Sequence, residues 1–200
     1  MASHKNSLLI LASASPRRRD LLATLYVTPD AITPADIDES TQPGELPRPY
    51  GQRVAREKAQ KIYTERQVNG QAPSIILAAD TVVGVGRRIL PKTETEDEAR
   101  MCLELMSGRA HRVYTAVAII DADGTLREKC VETRIKMKRL SEEEIAFYLK
   151  SGEWEGKAGG YGIQGYAGAY ITHLSGSYSN VVGLPVAETR NLLLASGYQL

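Results

Sequence analysis

An aspartate stands inside the apolar run Ser74-Ile-Ile-Leu-Ala-Ala-Asp-Thr-Val-Val-Gly84. Burying a carboxylate is costly unless it faces a cleft, a cation or a hydrogen-bond network, so Asp80 is a candidate for chemistry. A second reading is open, in which the strand ends at Ala79 and Asp80 opens a turn, where aspartate is favoured. The apolar Val82 and Val83 beyond it count against that. Nearer the N-terminus, Ser13-Ala-Ser-Pro-Arg-Arg-Arg19 sets free backbone N–H groups, a hydroxyl and guanidinium forks at one helix start, which suits a phosphate. The same residues also suit an ordinary capped helix with its arginines in solvent. Lys58, at about 100° per residue, falls between Val54 and Ile62 on the inward side of a helix. It is either a functional cation or a stem lying along the apolar face with its head in water. Lys92, in Leu90-Pro-Lys-Thr93, carries no signal alone. Glu39, in Ala35-Asp-Ile-Asp-Glu-Ser40, is a loop acid, and beside a phosphate site such an acid is a natural ligand for a divalent metal. Six glycines between Gly156 and Gly168 mark backbone that turns tightly or passes close to a ligand, with Gln164 the one uncharged amide among them.

Elements must hold these residues in place. Leu8 to Ala12 is a continuous apolar run of strand length that feeds a helix with Ser15 at its N-cap, Pro16 first, and Leu21, Leu22 and Leu25 on one face. Residues 29–49 hold five of the nine prolines and read as an extended loop with one short strand at Ala31 to Ile37. A helix over roughly Tyr50 to Arg66 and a strand from Ser74 to Gly84 follow. Thr95-Glu-Asp-Glu98 and Ser141-Glu-Glu-Glu144 are capping boxes, opening helices that stop near Gly108 and at Ser151-Gly152. Between them, His111 to Ile120, the turn Asp121-Ala-Asp-Gly124, and Thr125 to Met137 form a β-hairpin. Leu184-Pro185 opens a last helix that ends near Gly197. The long hairpin requires antiparallel pairing, so the expected fold is α/β with a mixed twisted sheet. No repeat or linker breaks residues 1–200, which read as a single domain.

Composition narrows the classes of function. Lys and Arg number 25 against 24 Asp and Glu, a net charge of +1, and Phe and Trp occur once each. That leaves neither the basic surface nor the aromatic platforms of a nucleic-acid-binding protein. Any anion site has to be built locally. Cys102 and Cys130 lie in unrelated segments, which argues against structural zinc and against disulfides. The apolar run after residue 7 is too short for a signal peptide or a membrane span, so the expected location is cytoplasmic, without a membrane partner. No Walker loop, dinucleotide fingerprint or Ser-His-Asp pattern is present, and His4, His111 and His173 read as structural or surface residues.

Five segments in this order resemble the Maf family of nucleotide pyrophosphatases: Ala12-Ser-Ala-Ser-Pro-Arg-Arg-Arg-Asp-Leu-Leu22, Arg56-Glu-Lys-Ala59, Ala79-Asp-Thr-Val-Val83, Lys157-Ala-Gly-Gly-Tyr-Gly-Ile-Gln-Gly165 and Gly176-Ser-Tyr-Ser-Asn-Val-Val-Gly-Leu-Pro185. The likeness runs from about residue 8 to about residue 195. It implies two lobes around a deep cleft, similar to the inosine triphosphatase group, and a nucleoside triphosphate substrate split into a monophosphate and pyrophosphate with Mg²⁺ or Mn²⁺ as cofactor. By the same resemblance Asp80 would be the general base and a metal ligand, Glu39 would help hold the metal, and Ser15, Arg17, Arg18, Lys58 and Lys92 would hold the phosphates. Arg18, Thr81 and Gln164 are similar to the dTTP/UTP branch rather than the 7-methyl-GTP branch. The orientation of the Gln164 amide would be fixed by the Thr81 hydroxyl or by the glycine loop. A non-catalytic regulator of cell division is the rival implied by the same family, and a homodimer remains open. Two departures stand out: Lys92 sits in Pro-Lys-Thr where the family more often has Lys-Pro, and Gly160 stands where alanine is usual.

Overall fold

The computed structural model describes residues 7–200, so His4 lies outside the described residues. A mixed sheet runs in the order β2 (Ala31–Ile32), β1 (Leu8–Leu11), β3 (Ser74–Val85), β5 (Ala110–Ile120), β6 (Leu126–Met137), β7 (Ile171–Ser175), and β4 (Arg88–Leu90) pairs with one end of β3. The pairs β2–β1 and β1–β3 are parallel, and β3–β4, β3–β5, β5–β6 and β6–β7 are antiparallel.

Side-chain alternation divides the first core between the two faces of this sheet. Leu9, Leu11, Ile75, Leu77, Val117 and Ile119 pack on one face under α1 (Pro16–Ala23) and α6 (Val186–Ala195), whose Leu22 and Leu193 cover them. Ile10, Ile76, Ala78, Ala116 and Ala118 face the other way, against Ala55, Ala59 and Ile62 of α2 (Pro47–Val68). A separate core lies toward the far ends of β3 and β5. There Val83, Val113 and Ile135 pack with α3 (Glu96–Met106) and α4 (Glu142–Lys150) and with Tyr148, Trp154 and Tyr161. Both helices carry the expected capping boxes, closed by Thr95 with Glu98 and by Ser141 with Glu144. The two cores form two lobes that share the same long strands.

Several boundaries differ from those expected. α2 begins at Pro47 rather than Tyr50, because the first N–H groups of a helix have no intrahelical acceptor and prolines at 47 and 49 therefore lose nothing there. β2 covers only Ala31–Ile32, and Pro34 follows close behind. β4, a 3₁₀ turn at Tyr166–Tyr170, β7 and the short α5 (Tyr178–Val182) have no counterpart among the sequence expectations. No described helix is long and apolar enough to cross a membrane.

His111 of β5 is buried, with its Nε2 2.7 Å from the Tyr161 hydroxyl and no partner for Nδ1 among the described residues. His173 is exposed on β7. Burial pushes the His111 pKa from 6.5 down to about 4. Protonation therefore favours the unfolded chain: the contribution to stability is complete above pH 6.5 and is lost as pH falls toward 4, a difference of about 3 kcal/mol. His111→Gln should flatten the loss of urea-unfolding stability across that window, and an unchanged slope would place the acid sensitivity elsewhere.

Candidate active site

The site begins at a gap in the sheet. β1 ends with Leu11 opposite Leu77, and β4 ends with Leu90 opposite Val83, so the stretch of β3 around Asp80 and Thr81 has no strand on that side. Consecutive residues of a strand point to opposite faces. Asp80 shares the face of Ala78 and turns toward α2, whereas Thr81 shares the face of Ala79 and turns toward α1.

On the α1 side, Ser15 occupies the N-cap position, but its side chain makes no capping hydrogen bond, and Ser15 lines a cavity of about 430 Å³. Arg18 is held by neutral acceptors alone. Its Nε donates to the Gly183 carbonyl at 3.0 Å, Nη1 to Ser13 Oγ at 2.8 Å and Nη2 to Thr81 Oγ1 at 3.3 Å. Thr81 is braced in turn by Thr115 at 3.0 Å, and Thr115 donates to the carbonyl of Asn180 at 2.8 Å. Arg17 lines the same cavity, and neither Arg17 nor Arg18 has a carboxylate partner among the described residues. Arg19 is exposed and turns away. The arginines are therefore not simply in solvent: Arg17 and Arg18 supply two positive charges to a cavity wall.

On the α2 side, the strand continues past Asp80 to Val85, so the turn reading does not hold. Asp80 is 2% exposed and Lys58 is 6% exposed, with Lys58 Nζ 3.0 Å from Asp80 Oδ1 and 2.9 Å from Glu39 Oε1. The Lys58 head is thus not in water. Glu39 also accepts from Lys92 Nζ at 2.8 Å, so Lys92, whatever its Pro-Lys order, reaches the site. Burial alone would raise the Glu39 carboxyl, but hydrogen bonds from Lys92 and Lys58 outweigh it and hold the pKa below the usual value. Asp80, Lys58, Glu39 and Lys92 form one chain of alternating charge. Asp80 lines not the main cavity but an adjoining one of about 370 Å³, which shares Glu39, Thr81, Lys92 and Ala158 with it.

The glycine segment forms the opposite wall. Lys92 bridges to Ala158, and the Gly159 N–H donates to the Pro91 carbonyl at 2.8 Å. Gly160 has φ +67, and a Cβ there would lie 3.1 Å from a Thr93 methyl and 3.2 Å from the Ala99 backbone, so glycine in place of the usual alanine is accommodated without strain. Gln164 lines the main cavity but is exposed, and no hydrogen bond holds its amide among the described residues. The hydroxyl of Thr81 is committed to Arg18 and Thr115, so it does not orient Gln164 as expected.

The Maf-like protein family model matches residues 8–196. The chain belongs to the Maf family. It is 58% identical over 190 residues to a protein of Maricaulis maris named dTTP/UTP pyrophosphatase, covering 95% of this chain and 88% of that one. A Brucella abortus protein of the same name is 55% identical over 191 residues, covering 95% and 92%. Among solved structures, a HAM1 protein from Coxiella burnetii shares the fold at 14% identity and a TM-score of 0.51, over 94% of this chain and 99% of that one.

Two residues of this Maf protein that hold the site in place gave no sequence signal. The Tyr50 hydroxyl donates to the Glu39 carbonyl at 2.7 Å, and Arg53 Nη2 donates to the Ser40 carbonyl at 2.9 Å while its Nε bonds Glu45 at 2.8 Å. Together they tie the loop that carries Glu39 to α2. Burial, and then the charges of Asp80 and Glu39, raise the Tyr50 pKa to about 12, so it remains a donor at all physiological pH. Removing one member of a buried ion pair costs about 3–5 kcal/mol because the other charge is stranded. Lys58→Met should therefore destabilise strongly in urea melts, and adding Asp80→Asn should restore much of the loss. If the double variant is no more stable than Lys58→Met, the pair is not what holds this part of the fold.

Proposed function

We propose that this Maf protein is a nucleoside triphosphate pyrophosphatase acting on dTTP and UTP, breaking the bond between the α-phosphorus and the oxygen that bridges to the β-phosphate. The observation that carries the reading is the division of labour between two consecutive residues of β3: Asp80, a buried carboxylate on the α2 face, and Thr81, which helps to hold the Arg18 guanidinium on the α1 face. Ser15, the free N–H groups at the start of α1, Arg17 and Arg18 supply donors for the triphosphate, and Lys92 supplies another from the far wall. Asp80, opening into the adjoining cavity, orients a water and takes its proton as the new oxygen–phosphorus bond forms and pyrophosphate leaves. Lys58 balances the Asp80 charge and keeps both carboxylates directed at one point.

Asp80 and Glu39 give two hard oxygen donors that converge on a single ammonium. No group of three or more His, Cys, Asp or Glu side chains suited to a metal occurs among the described residues. Such a donor pair suits Mg²⁺ or Mn²⁺, which commonly take one or two carboxylates and complete their shell with water and substrate phosphates. When bound there, the cation would neutralise charge developing on the phosphates.

For the base, Gln164 offers a donor and an acceptor that match the carbonyl and N–H of uracil and thymine, and the names of the relatives favour the same pyrimidines. Because the amide is unheld, a pyrimidine preference requires the bound base or the glycine loop to fix its rotation. The purified protein with a panel of triphosphates, 7-methyl-GTP included, and Mg²⁺ or Mn²⁺ should release pyrophosphate, fastest from dTTP and UTP. Orthophosphate as the sole product would refute the reaction. In Asp80→Asn the amide oxygen can still accept from Lys58, which keeps Glu39 as its counter-charge, so the variant should stay folded at some cost in Tm and lower kcat by about 10²- to 10⁴-fold; near-normal turnover would remove Asp80 from the role of base. Gln164→Glu should change the ratio of kcat/KM for UTP over CTP, and unchanged ratios for every base would refute the reading of the base by Gln164.

A further inference from the structure

Lys157 stands in the main cavity without a part in the reaction as described above. Its backbone is tied to the segment that carries Lys92: the Thr93 N–H donates to the Lys157 carbonyl at 3.2 Å, and the Gly156 N–H donates to the Thr93 carbonyl at 2.9 Å. Its stem crosses Gly162, where a Cβ would lie 2.9 Å from Lys157 Cε, so the missing side chain at 162 leaves the path that the lysine takes. The ammonium donates to the backbone carbonyl of Glu153 and contacts no carboxylate among the described residues. Burial first, and then the charge of Arg17, draw its pKa below the usual lysine value, against weaker opposition from Glu153 and Glu155. Two cations from opposite walls, Arg17 and Lys157, thus share a cavity in which Glu39, already paired with Lys58 and Lys92, is the one lining carboxylate among the described residues.

We infer that Lys157 is a substrate-binding residue, whose ammonium contacts the polyphosphate of the bound nucleotide from the glycine-segment wall, opposite Arg17. The inference rests on the nucleotide reading of the cavity and adds to it a cation from the base-reading segment itself. The same loop then carries both Gln164 and a phosphate contact, which ties the position of the base to that of the phosphates. The competing role is structural: a lysine that only closes the glycine turn through the Glu153 carbonyl.

The test uses the whole chain and two probes, inorganic tripolyphosphate and a dUTP analogue with a methylene between its α- and β-phosphorus atoms. Dissociation constants come from calorimetry, and Tm is measured alongside. Lys157→Met keeps the stem and deletes the charge. It should weaken both probes by roughly ten- to a hundredfold, the range for a lost hydrogen bond to a charged group, and raise KM for dTTP, with Tm held. Lys157→Arg should recover most of the binding. Wild-type affinity of Lys157→Met for both probes would overturn the inference, as would a fall in Tm with binding unchanged. Failure of the pyrophosphatase reading would look different: no nucleotide turned over by the wild type, while tripolyphosphate still binds in a Lys157-dependent way.

Discussion

The ion pair between Asp80 and Lys58 is the constraint from which the site is built. A carboxylate 2% exposed in the middle of a strand needs a counter-charge at contact distance, and α2 delivers one. It does so because the sheet beneath it is paved with Ala78, Ala116 and Ala118, small enough for the helix to lie close. With α2 fixed in that register, Tyr50 and Arg53 fall over the loop of residues 33–46 and hold its carbonyls. The loop then places Glu39 on the free side of Lys58, and Glu39 draws in Lys92. Four charges from four separate segments are set by one helix position.

The other half of the site follows from strand geometry. Alternation along β3 sends Asp80 and Thr81 to opposite faces, and the gap between the last residues of β1 and β4, Leu11 and Leu90, leaves both bordering cavities outside the sheet. Thr81 is no spare hydroxyl. It is one of three neutral acceptors that hold Arg18 rigid while leaving its charge uncompensated, and it is supported from behind by Thr115 and Asn180. An arginine fixed in this way, without a carboxylate partner, would lose little entropy on meeting an anion and has no existing ion pair to break.

What the sequence revealed was local. The apolar run around Asp80, the two capping boxes and the Asp121 turn each carry their signal within a few residues, and each formed where expected. β4, β7 and α5 were invisible because short elements exist by virtue of what they pair with, not by their own periodicity. Lys58 had two readings because the helical wheel gives the direction of a side chain but not what waits at its end. Tyr50 and Arg53 were missed for a related reason: their partners are main-chain carbonyls of a proline-rich loop, and a carbonyl has no sequence signature. Gln164 lines the cavity, yet Thr81, one of the two features expected to orient its amide, is occupied elsewhere, a point only the hydrogen-bond geometry decides.

β3 and β5 run without a break from one core to the other, Ile75 to Val83 and Val113 to Ile119. The lobes are therefore not joined by a linker about which they could rotate. A change in the width of the aperture must be taken up as extra twist and bend spread over the nine residue pairs that join β3 to β5, each resisting a little. Mechanically the molecule is closer to a leaf spring than to a pair of jaws. Its rest position, not a hinge angle, sets the span between the walls, and a ligand longer or shorter than that span must flex the whole sheet to be gripped.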